Sequence, residues 1–373
     1  MSKRTLLKTL MLSATVIATQ GLWIAPAVAQ TKEIVIGAVL PLTGPAAQIG
    51  LQEQTGIEFA VDKVNATGGI RGNKIRVVYE DTQGKPDVGV LGFNRLVDLY
   101  DVPSDLTAYT SVSLAIAPLA TRRKVLVLNP AAQGNKLADA SPYLVNTIPL
   151  VKDEVSMIAK YAAAKLGKKA GILYENAAVG IDLRDEFKKT YLAAGGTIVA
   201  DEAVEFGSTN LRPALLKIAA TKPDFVFQGL TPGPDIVVDQ FRQFPDFPIG
   251  VGNSFFTSLQ GYKETSGWYQ SAVKSTASPE TEKEFVEKFK TKEMAFYARE
   301  YAGATQILFK LIDYLIEKGR PVSGENLRAA LSELKTFDSP GGVITFDGNN
   351  AKRQIDIYKL VPPGRILVQD VPR

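Results

Sequence analysis

The chain has 373 residues, with no histidine and no cysteine, and its 43 lysine and arginine residues nearly balance its 39 aspartate and glutamate residues. Without cysteine there is no disulfide and no thiol nucleophile, and without histidine there is no Ser-His-Asp or Cys-His hydrolytic site. Zinc sites with His or Cys ligands are excluded for the same reason. The near-neutral composition predicts no nucleic-acid partner. Catalysis by paired carboxylates or by Ser-Lys stays open, but the composition favours a binding protein over an enzyme.

The N-terminus has the pattern of a secretory leader. Its basic start is followed by an uncharged segment at 9–19, and Ala27 and Ala29 are the two small residues of a cleavage site. A membrane-spanning helix is the alternative, but it needs about 20 mostly apolar residues, and Gln20 and Pro26 interrupt this segment. We expect a signal peptide at 1–29, cleavage after Ala29 and a mature protein free in the periplasm.

The mature chain alternates short β-branched runs with longer helical patterns. The patterns predict strands at 33–40, 74–80, 107–110, 125–128, 170–175, 197–204, 225–228 and 249–251, and helices at 51–65, 86–100, 111–122, 153–166, 181–194, 211–221 and 235–244. Such alternation is typical of α/β proteins, in which helices cover both faces of a parallel sheet.

The C-terminal third has a different pattern. Helices are predicted at 279–290, 300–318 and 324–334, followed by strands at 342–346 and 355–360 that pair around the turn Asp347-Gly348. Two series of alternating elements with a late helical return predict two lobes that are linked more than once. The segment 347–350 lacks the alternating acids of a calcium loop, so no metal is expected there.

The N-terminal part of the mature chain carries a specific series of motifs. A strand leads into a Gly-Pro loop over 34–50, a helix ends in Asn-Ala-Thr-Gly-Gly-Ile-Arg-Gly at 65–72, and the next strand ends at Asp81. This series resembles the periplasmic solute-binding proteins of the branched-chain amino acid type, which serve ABC importers. The resemblance extends over essentially the whole mature chain and is weaker at 100–115 and 252–298.

The resemblance implies two doubly wound parallel-sheet lobes joined by three crossovers, the type 1 periplasmic binding or Venus-flytrap fold. Lobe 1 would comprise 30–147 plus 277–354, and lobe 2 would comprise 148–276 plus 355–373. The crossovers would lie near Thr147, Thr276 and Gln354, and one ligand would bind in the cleft between the lobes.

A carboxylate site is predicted where the helix near Ser111 begins. Ligands of open α/β sheets bind beyond the carboxyl ends of the strands, and the free N–H groups of a helix start attract anions. The hydroxyl groups of Thr110, Ser111 and Ser113 would add hydrogen bonds, although these serines could instead only cap the helix. The resemblance adds the loop at 129–133, with Ala131 and Gln133, to this side of the site.

The other half of the site departs from the amino-acid-binding pattern. Ser254 stands where those proteins place an acid for the ligand's ammonium, Val179 where they place a tyrosine, and Ile49 where an aromatic is frequent. The disulfide of lobe 1 is also missing, with Gln83 and Tyr109 at its positions.

These departures restrict the chemical class of ligand that the site can bind. A buried ammonium without a counter-charge costs several kcal/mol, so the sequence predicts a small organic carboxylate, aromatic acids included, rather than an α-amino acid. Another acid could restore the amino-acid site, and the candidates are Glu175, Asp182 and Asp235.

Aromatic and turn residues complete the predicted site. Tyr297 is a candidate contact, and the other aromatic candidates are Tyr109, Phe255, Phe256 and Phe296, each of which could instead belong to a lobe core. Thr231 lies in a Thr-Pro-Gly-Pro segment after a strand of lobe 2 and is either a ligand contact or part of a rigid turn.

The predicted function is that of a monomeric receptor without a cofactor, which delivers an amino acid or organic carboxylate to an ABC permease in the inner membrane. The alternative is a sensory subunit of the same fold that acts on a signalling partner. An enzyme is the least favoured reading, because no catalytic motif is found.

Overall fold

The computed structural model describes residues 33–230, 234–244 and 247–368, with side chains from 236 onward in the second range. The predicted signal peptide and Thr231 lie outside these ranges, as does the side chain of Asp235. Within the described residues, none of the helices combines the length and the apolar composition needed to cross a membrane.

Strands and helices alternate through the first two thirds of the chain, as predicted. The strands are β1 (Glu33–Leu40), β2 (Lys74–Asp81), β3 (Ser104–Thr107), β4 (Leu126–Asn129), β5 (Leu144–Asn146), β6 (Lys169–Glu175), β7 (Thr197–Val204), β8 (Phe225–Gly229), β9 (Ile249–Gly252), β10 (Tyr269–Val273), β11 (Thr336–Ser339), β12 (Gly342–Asp347), β13 (Asn350–Lys352), β14 (Ile355–Val361) and β15 (Gly364–Leu367). The helices are α1 (Ala47–Ala66), α2 (Pro86–Tyr100), α3 (Thr110–Arg123), α4 (Val151–Lys165), α5 (Ala178–Ala193), α6 (Arg212–Ala220), α7 (Pro234–Phe241), α8 (Pro279–Phe289), α9 (Phe296–Glu317) and α10 (Gly324–Leu334). Short 3₁₀ helices lie at Asn135–Asp139, Ser254–Leu259 and Lys263–Thr265.

The described strands form two sheets. One has the order β11-β12-β13-β5-β4-β3-β1-β2, and the other has the order β15-β14-β10-β9-β8-β6-β7. Strands β1 to β5 pair in parallel, as do β6 to β10, and the antiparallel strand pairs among the described residues involve the C-terminal strands β11 to β15. The α/β class and the two parallel-dominated lobes are confirmed, while the residue numbers of the lobe boundaries stay a prediction.

The predicted pairing of the last two strands was wrong. Strand β12 pairs with β11 and β13, whereas β14 pairs with β10 in the other sheet. The turn itself is present, since Asp347 is opposite Asn350 and Gly348 has a φ of +58°. The returning strand is the three-residue β13, which is too short to recognise by alternation, and the chain then crosses to the second sheet.

The third strand also lies earlier than predicted. It covers Ser104–Thr107 rather than 107–110, and all four of its residues are buried. A strand covered on both faces does not alternate between polar and apolar residues, so the pattern concealed it. The shift leaves Tyr109 in the turn that starts α3.

Helices α1 and α9 pack at very short range in the first lobe. The predicted apolar face of α9 is confirmed, since its five predicted residues are fully buried, namely Ile307, Leu308, Leu311, Ile312 and Leu315. A Cβ atom on Gly56 would lie 2.2 Å from the carbonyl oxygen of Ala298. Only glycine permits this approach, which brings Glu53 of α1 close to the start of α9.

A buried ion pair lies where the chain passes between the sheets. Arg353, between β13 and β14, pairs with Glu300 of α9, and both side chains are 2% exposed. The guanidinium also donates to the carbonyl oxygens of Thr147 and Gly341, each at 3.4 Å. The contact to Thr147 joins two of the predicted crossovers.

Candidate functional site

A narrow cavity lies between the two sheets. Its volume is about 330 Å³, which includes space open to solvent. Its walls are formed by Ile49, Glu53, Tyr109, Thr110, Ala131, Ala132, Gln133, Val179, Phe255 and Tyr297. Six of the ten predicted ligand residues are therefore brought together here, namely Ile49, Thr110, Ala131, Gln133, Val179 and Tyr297. Whether these residues bind a ligand stays a prediction.

The cavity lies at the carboxyl ends of parallel strands. Tyr109 and Thr110 follow β3, Ala131 and Gln133 follow β4, and Val179 follows β6. This is the edge at which open α/β sheets bind ligands, because the loops that enter the helices converge there.

The start of α3 opens into the cavity. No side chain caps this helix, and the first N–H groups of an α-helix have no partner inside the helix. Tyr109, directly before it, has a φ of +64°, a conformation that costs a non-glycine residue about 1–3 kcal/mol. This backbone places the tyrosine ring in the cavity wall while the helix start faces the same space.

A second loop is locked against this helix start. The hydroxyl of Thr110 accepts a hydrogen bond from the N–H of Gly134 at 3.1 Å. A Cβ atom on Gly134 would lie 2.2 Å from the Thr110 methyl group. The two loops that follow β3 and β4 are thereby held in a fixed relation.

The two serines of α3 have different surroundings. Ser113 is fully buried and its hydroxyl lies 3.2 Å from that of Thr107, away from the cavity lining. Ser111 lines an adjoining and larger vestibule of about 560 Å³ that also contains Tyr109, Glu175, Val179 and Phe206.

Gln133 lines the cavity, but its side-chain amide already makes hydrogen bonds within the protein. Its Nε2 donates to the carbonyl of Pro149 at 3.0 Å and to Glu154 at 2.5 Å, and its Oε1 accepts from Asn253 at 3.0 Å. This set of bonds leaves the aliphatic part of the side chain to contact a ligand.

Ser254 lies behind the cavity wall and is bound to an acid. Its N–H and hydroxyl donate to Glu154 Oε1 at 2.5 and 2.6 Å. Burial raises the pKa of Glu154 to about 7, against the lowering effect of the hydrogen bonds from Ser254 and Gln133. Glu154 is thus enclosed by donors of the protein and is not among the residues that line the cavity.

Glu53 is the acid that the sequence analysis missed. It lines the cavity, is 1% exposed, and its Oε2 has no hydrogen-bond partner. Burial raises its pKa from the ordinary 4.5 to about 8, although the Tyr301 hydroxyl acts in the opposite direction. The signal was in the sequence, because Glu53 shares the buried face of α1 with Gly50, Gly56 and Ile57 and an acid on such a face requires a reason.

The two halves touch across the mouth of the cavity. The N–H of Asn135 donates to Asp182 at 2.7 Å, and the rings of Tyr109 and Phe206 meet edge-on with centroids 5.7 Å apart. These contacts join the two halves of the cleft. Two of the acids predicted to pair with a ligand ammonium, Asp182 and Glu175, do not line the cavity. Asp182 makes the bond across the cleft, and Glu175 lines the vestibule.

The remaining aromatic candidates are mostly core residues. Phe296 packs edge-on against Tyr297, with ring centroids 5.4 Å apart, and is part of the core of the first lobe. Phe256 belongs to the core of the second lobe together with Trp268. The aromatic wall of the cavity consists of Tyr109, Phe255 and Tyr297.

The chain is similar to known solute receptors along most of its length. A family profile described as periplasmic binding protein matches residues 33–361. A Leu/Ile/Val-binding protein of Rhizobium johnstonii is 27% identical over 348 residues, which cover 88% of this chain and 91% of that protein. A leucine-, isoleucine-, valine-, threonine- and alanine-binding protein of Pseudomonas aeruginosa is 24% identical over 331 residues, covering 85% of this chain and 86% of that protein.

Solved structures show the same fold. A solute-binding protein of an ABC transporter from Rhodopseudomonas palustris BisB5, in complex with 3,4-dihydroxybenzoic acid, superposes with a TM-score of 0.79 at 25% identity, covering 88% of this chain and 93% of that one. The substrate-binding protein LivJ of Streptococcus pneumoniae, in complex with isoleucine, has a TM-score of 0.80 at 22% identity and covers 90% and 99%. The chain belongs to the periplasmic binding protein family, in the group of solute receptors that includes the Leu/Ile/Val-binding proteins.

Proposed function

We propose that the protein is the periplasmic substrate-binding component of an ABC importer and that it captures a small organic carboxylate, with aromatic acids preferred to amino acids. The observation that carries this proposal is the uncapped start of α3, which opens into a cavity with apolar and aromatic walls.

The helix start supplies the carboxylate site. Free N–H groups and the positive end of the helix dipole favour an anion, and the effect is strongest where water is excluded. The described residues that line the cavity include no lysine or arginine, so the donors available to a ligand carboxylate are backbone N–H groups and the hydroxyls of Thr110, Tyr109 and Tyr297.

The rest of the cavity suits an apolar and thin ligand body. Ile49, Val179 and Phe255 contribute apolar walls, and Tyr109 and Tyr297 add aromatic ones. The narrow space between these walls favours a flat or small molecule over a bulky one.

An α-amino acid is disfavoured because Glu53, the acid among the described residues that line the cavity, is kept neutral by burial, which raises its pKa to about 8. Ser254 replaces the acid expected from amino-acid-binding relatives, and the nearby Glu154 is already enclosed by donors from Ser254 and Gln133. Neutralising or burying an unpaired ammonium costs several kcal/mol. The solute-binding protein of R. palustris BisB5, whose complex contains 3,4-dihydroxybenzoic acid, supports an aromatic ligand here by similarity.

Ligand capture then follows from lobe closure. A ligand that first binds the start of α3 gains contacts with Val179 and Phe255 only when the second lobe closes. Only such differential binding shifts the equilibrium between open and closed forms. The closed form would present one surface to the permease, and the solute would leave chemically unchanged.

A thermal-shift panel tests the ligand class. We expect benzoate and hydroxybenzoates to raise the melting temperature, because a ligand at 100 times its Kd adds about 2.7 kcal/mol to the unfolding free energy. Leucine, isoleucine and valine should have much weaker effects. Strong stabilisation by the branched-chain amino acids, with none by the aromatic acids, would contradict the proposed ligand class.

An uptake assay tests the importer role. Deletion of the gene should abolish high-affinity uptake of the stabilising acid, and the mature protein should appear in osmotic-shock fluid with Gln30 as its first residue. Normal uptake in the deletion strain, together with loss of a transcriptional response to the same acid, would favour the sensory alternative.

A further inference from the structure

Glu53 occupies a position that packing alone does not explain. It lies in the second turn of α1, which Gly56 holds against α9, and its carboxyl faces the cavity rather than solvent. Among the described residues that line the cavity, Glu53 Oε2 is the only buried side-chain oxygen or nitrogen without a hydrogen-bond partner. A buried polar atom without a hydrogen-bond partner destabilises the protein, so a partner from the ligand would remove that cost.

Phenol groups surround this carboxyl. Tyr301 and Tyr297 approach from α9, and Tyr109 approaches from the turn before α3. The Tyr301 hydroxyl also donates to the carbonyl of Thr107 at 2.7 Å. Burial raises the pKa of Glu53 to about 8, so the carboxyl is protonated at neutral pH and can both donate and accept a hydrogen bond.

A ligand hydroxyl and a ligand ammonium differ in the number of hydrogen-bond partners that they need from the protein. An ammonium has three N–H donors and a full charge, so it needs several acceptors and an ionised acid. A hydroxyl needs one partner, which it can either donate to or accept from. The cavity offers one unpaired oxygen on a neutral carboxyl, which matches the hydroxyl.

We propose that Glu53 selects ligands that carry a hydroxyl group in addition to the carboxylate, by pairing that hydroxyl with its free oxygen. The inference rests on the proposed function, since the carboxylate end is held by the start of α3. It narrows the ligand class to hydroxy acids and assigns the specificity to one side chain of α1.

Calorimetry on the unmodified mature protein gives the first test. Two matched series are titrated: benzoate against 3- and 4-hydroxybenzoate, and 3-methylbutanoate against 2-hydroxy-3-methylbutanoate and valine. In the series that binds, the best hydroxy acid should bind at least about tenfold more tightly than the acid without the hydroxyl, which corresponds to one recovered hydrogen bond. Valine should bind more weakly than the matching hydroxy acid.

Three variants then locate the selectivity. Glu53→Gln keeps a donor and an acceptor and should retain the preference for the hydroxyl within about threefold. Glu53→Ala removes both and should reduce the preference to about one. Glu58→Gln removes an acid from the same helix outside the cavity lining and should leave the preference unchanged.

The same titrations in two buffers of different ionisation enthalpy report the proton balance. A hydroxyl paired with the neutral carboxyl should release almost no proton at pH 7, whereas an ammonium paired with ionised Glu53 should release close to one. This readout uses the unmodified protein, so it holds even if Glu53→Ala fails to fold.

The outcomes separate the two proposals. If carboxylates bind equally well with and without the hydroxyl, or if valine binds best with proton release, the inference about Glu53 is wrong while carboxylate binding stands. A preference for the hydroxyl that survives in Glu53→Ala would also overturn it. If no acid of either series binds, the proposed function fails and the inference falls with it.

Discussion

At the scale of single residues, the site depends on acids that are buried for different reasons. Glu154 is enclosed by donors from Ser254 and Gln133, and its position is explained by those bonds. Glu53 has an oxygen without a partner and faces the cavity. The first arrangement stabilises the wall of the site, and the second leaves a polar group available to a ligand.

The proton of Glu53 makes stability depend on pH. Burial raises its pKa from 4.5 to about 8, so the folded protein keeps a proton that the unfolded chain releases in this range. The stability that this proton contributes is fully present below about pH 4.5 and is lost as the pH rises to about 8. Glu53→Gln does not undergo this loss. The unfolding free energy of the wild type, relative to that of the variant, should therefore fall by about 1.4 kcal/mol per pH unit between pH 5 and 8.

Urea unfolding of the ligand-free protein at several pH values measures this difference. Glu287→Gln, at a side chain that is 65% exposed, is the control and should follow the wild type. A constant difference between Glu53→Gln and the wild type over this range would show that Glu53 is ionised in the folded protein.

Ser254→Ala should act mainly on stability. It removes the hydroxyl that donates to Glu154 at 2.6 Å and accepts from the N–H of Val273 at 3.2 Å, and a buried polar group that loses its partner costs about 1–3 kcal/mol. Urea unfolding measures this loss, with Ser258→Ala as the control, because Ser258 is exposed and lies in the same 3₁₀ helix. A large loss of affinity with unchanged stability would instead place Ser254 in contact with the ligand, as the resemblance predicts.

At the scale of elements, the contact between α1 and α9 sets the shape of the cavity. Glu53 and Ile49 belong to α1 and Tyr297 belongs to α9, so the spacing of these two helices determines the positions of three residues that line the cavity. The spacing in turn depends on the absence of a side chain at Gly56.

Gly56→Ala should force the two helices apart. The new methyl group would lie 2.2 Å from the Ala298 carbonyl oxygen, and overpacking of this kind costs about 1–3 kcal/mol. Both the melting temperature and the affinity for the ligand should fall. Gly261→Ala is the control, because nothing lies within 4 Å of a Cβ atom there; an unchanged affinity in Gly56→Ala would show that the cavity does not depend on this contact.

Patterns along the chain predicted most elements but not all of their partners. Regular alternation and the apolar face of α9 were sufficient for the α/β class. The short strand β13 carries no periodic signal, and this led to the wrong pairing of 342–346 with 355–360. The fully buried β3 does not alternate either, so its position was predicted too late in the chain.

Prediction of the site had a similar limit. The hydroxyl residues at the start of α3 were recognisable, but the rotation of the helix decides that Thr110 lines the cavity and Ser113 bonds to Thr107. The sequence places Glu53 on the buried face of α1, so this acid could have been recognised as a site residue. Its unpaired oxygen could not be predicted, because the available hydrogen-bond partners depend on the positions of α9 and of the turn at Tyr109.

At the scale of the whole molecule, closure depends on contacts between the lobes at the mouth of the cleft. Asp182 of α5 accepts a hydrogen bond from the N–H of Asn135 at 2.7 Å. Asp182→Ala should weaken the closed form by about 1 kcal/mol and lower the ligand affinity about fivefold, mainly through faster dissociation.

Stopped-flow and calorimetric titrations measure this effect. Asp185→Ala, on the same helix but paired with Arg184 at the surface, is the control and should bind like the wild type. Equal effects of the two substitutions would mean that the bond between Asp182 and Asn135 does not contribute to closure.

The central claim is that two lobes close over a small carboxylate and release it unchanged. Native mass spectrometry of the protein taken from periplasmic extract tests this claim most directly, since it makes no assumption about the ligand. The account predicts one noncovalently bound organic acid per chain, with the intact compound recovered after denaturation. A bound molecule without a carboxylate, or a compound released in a chemically altered form, would contradict it.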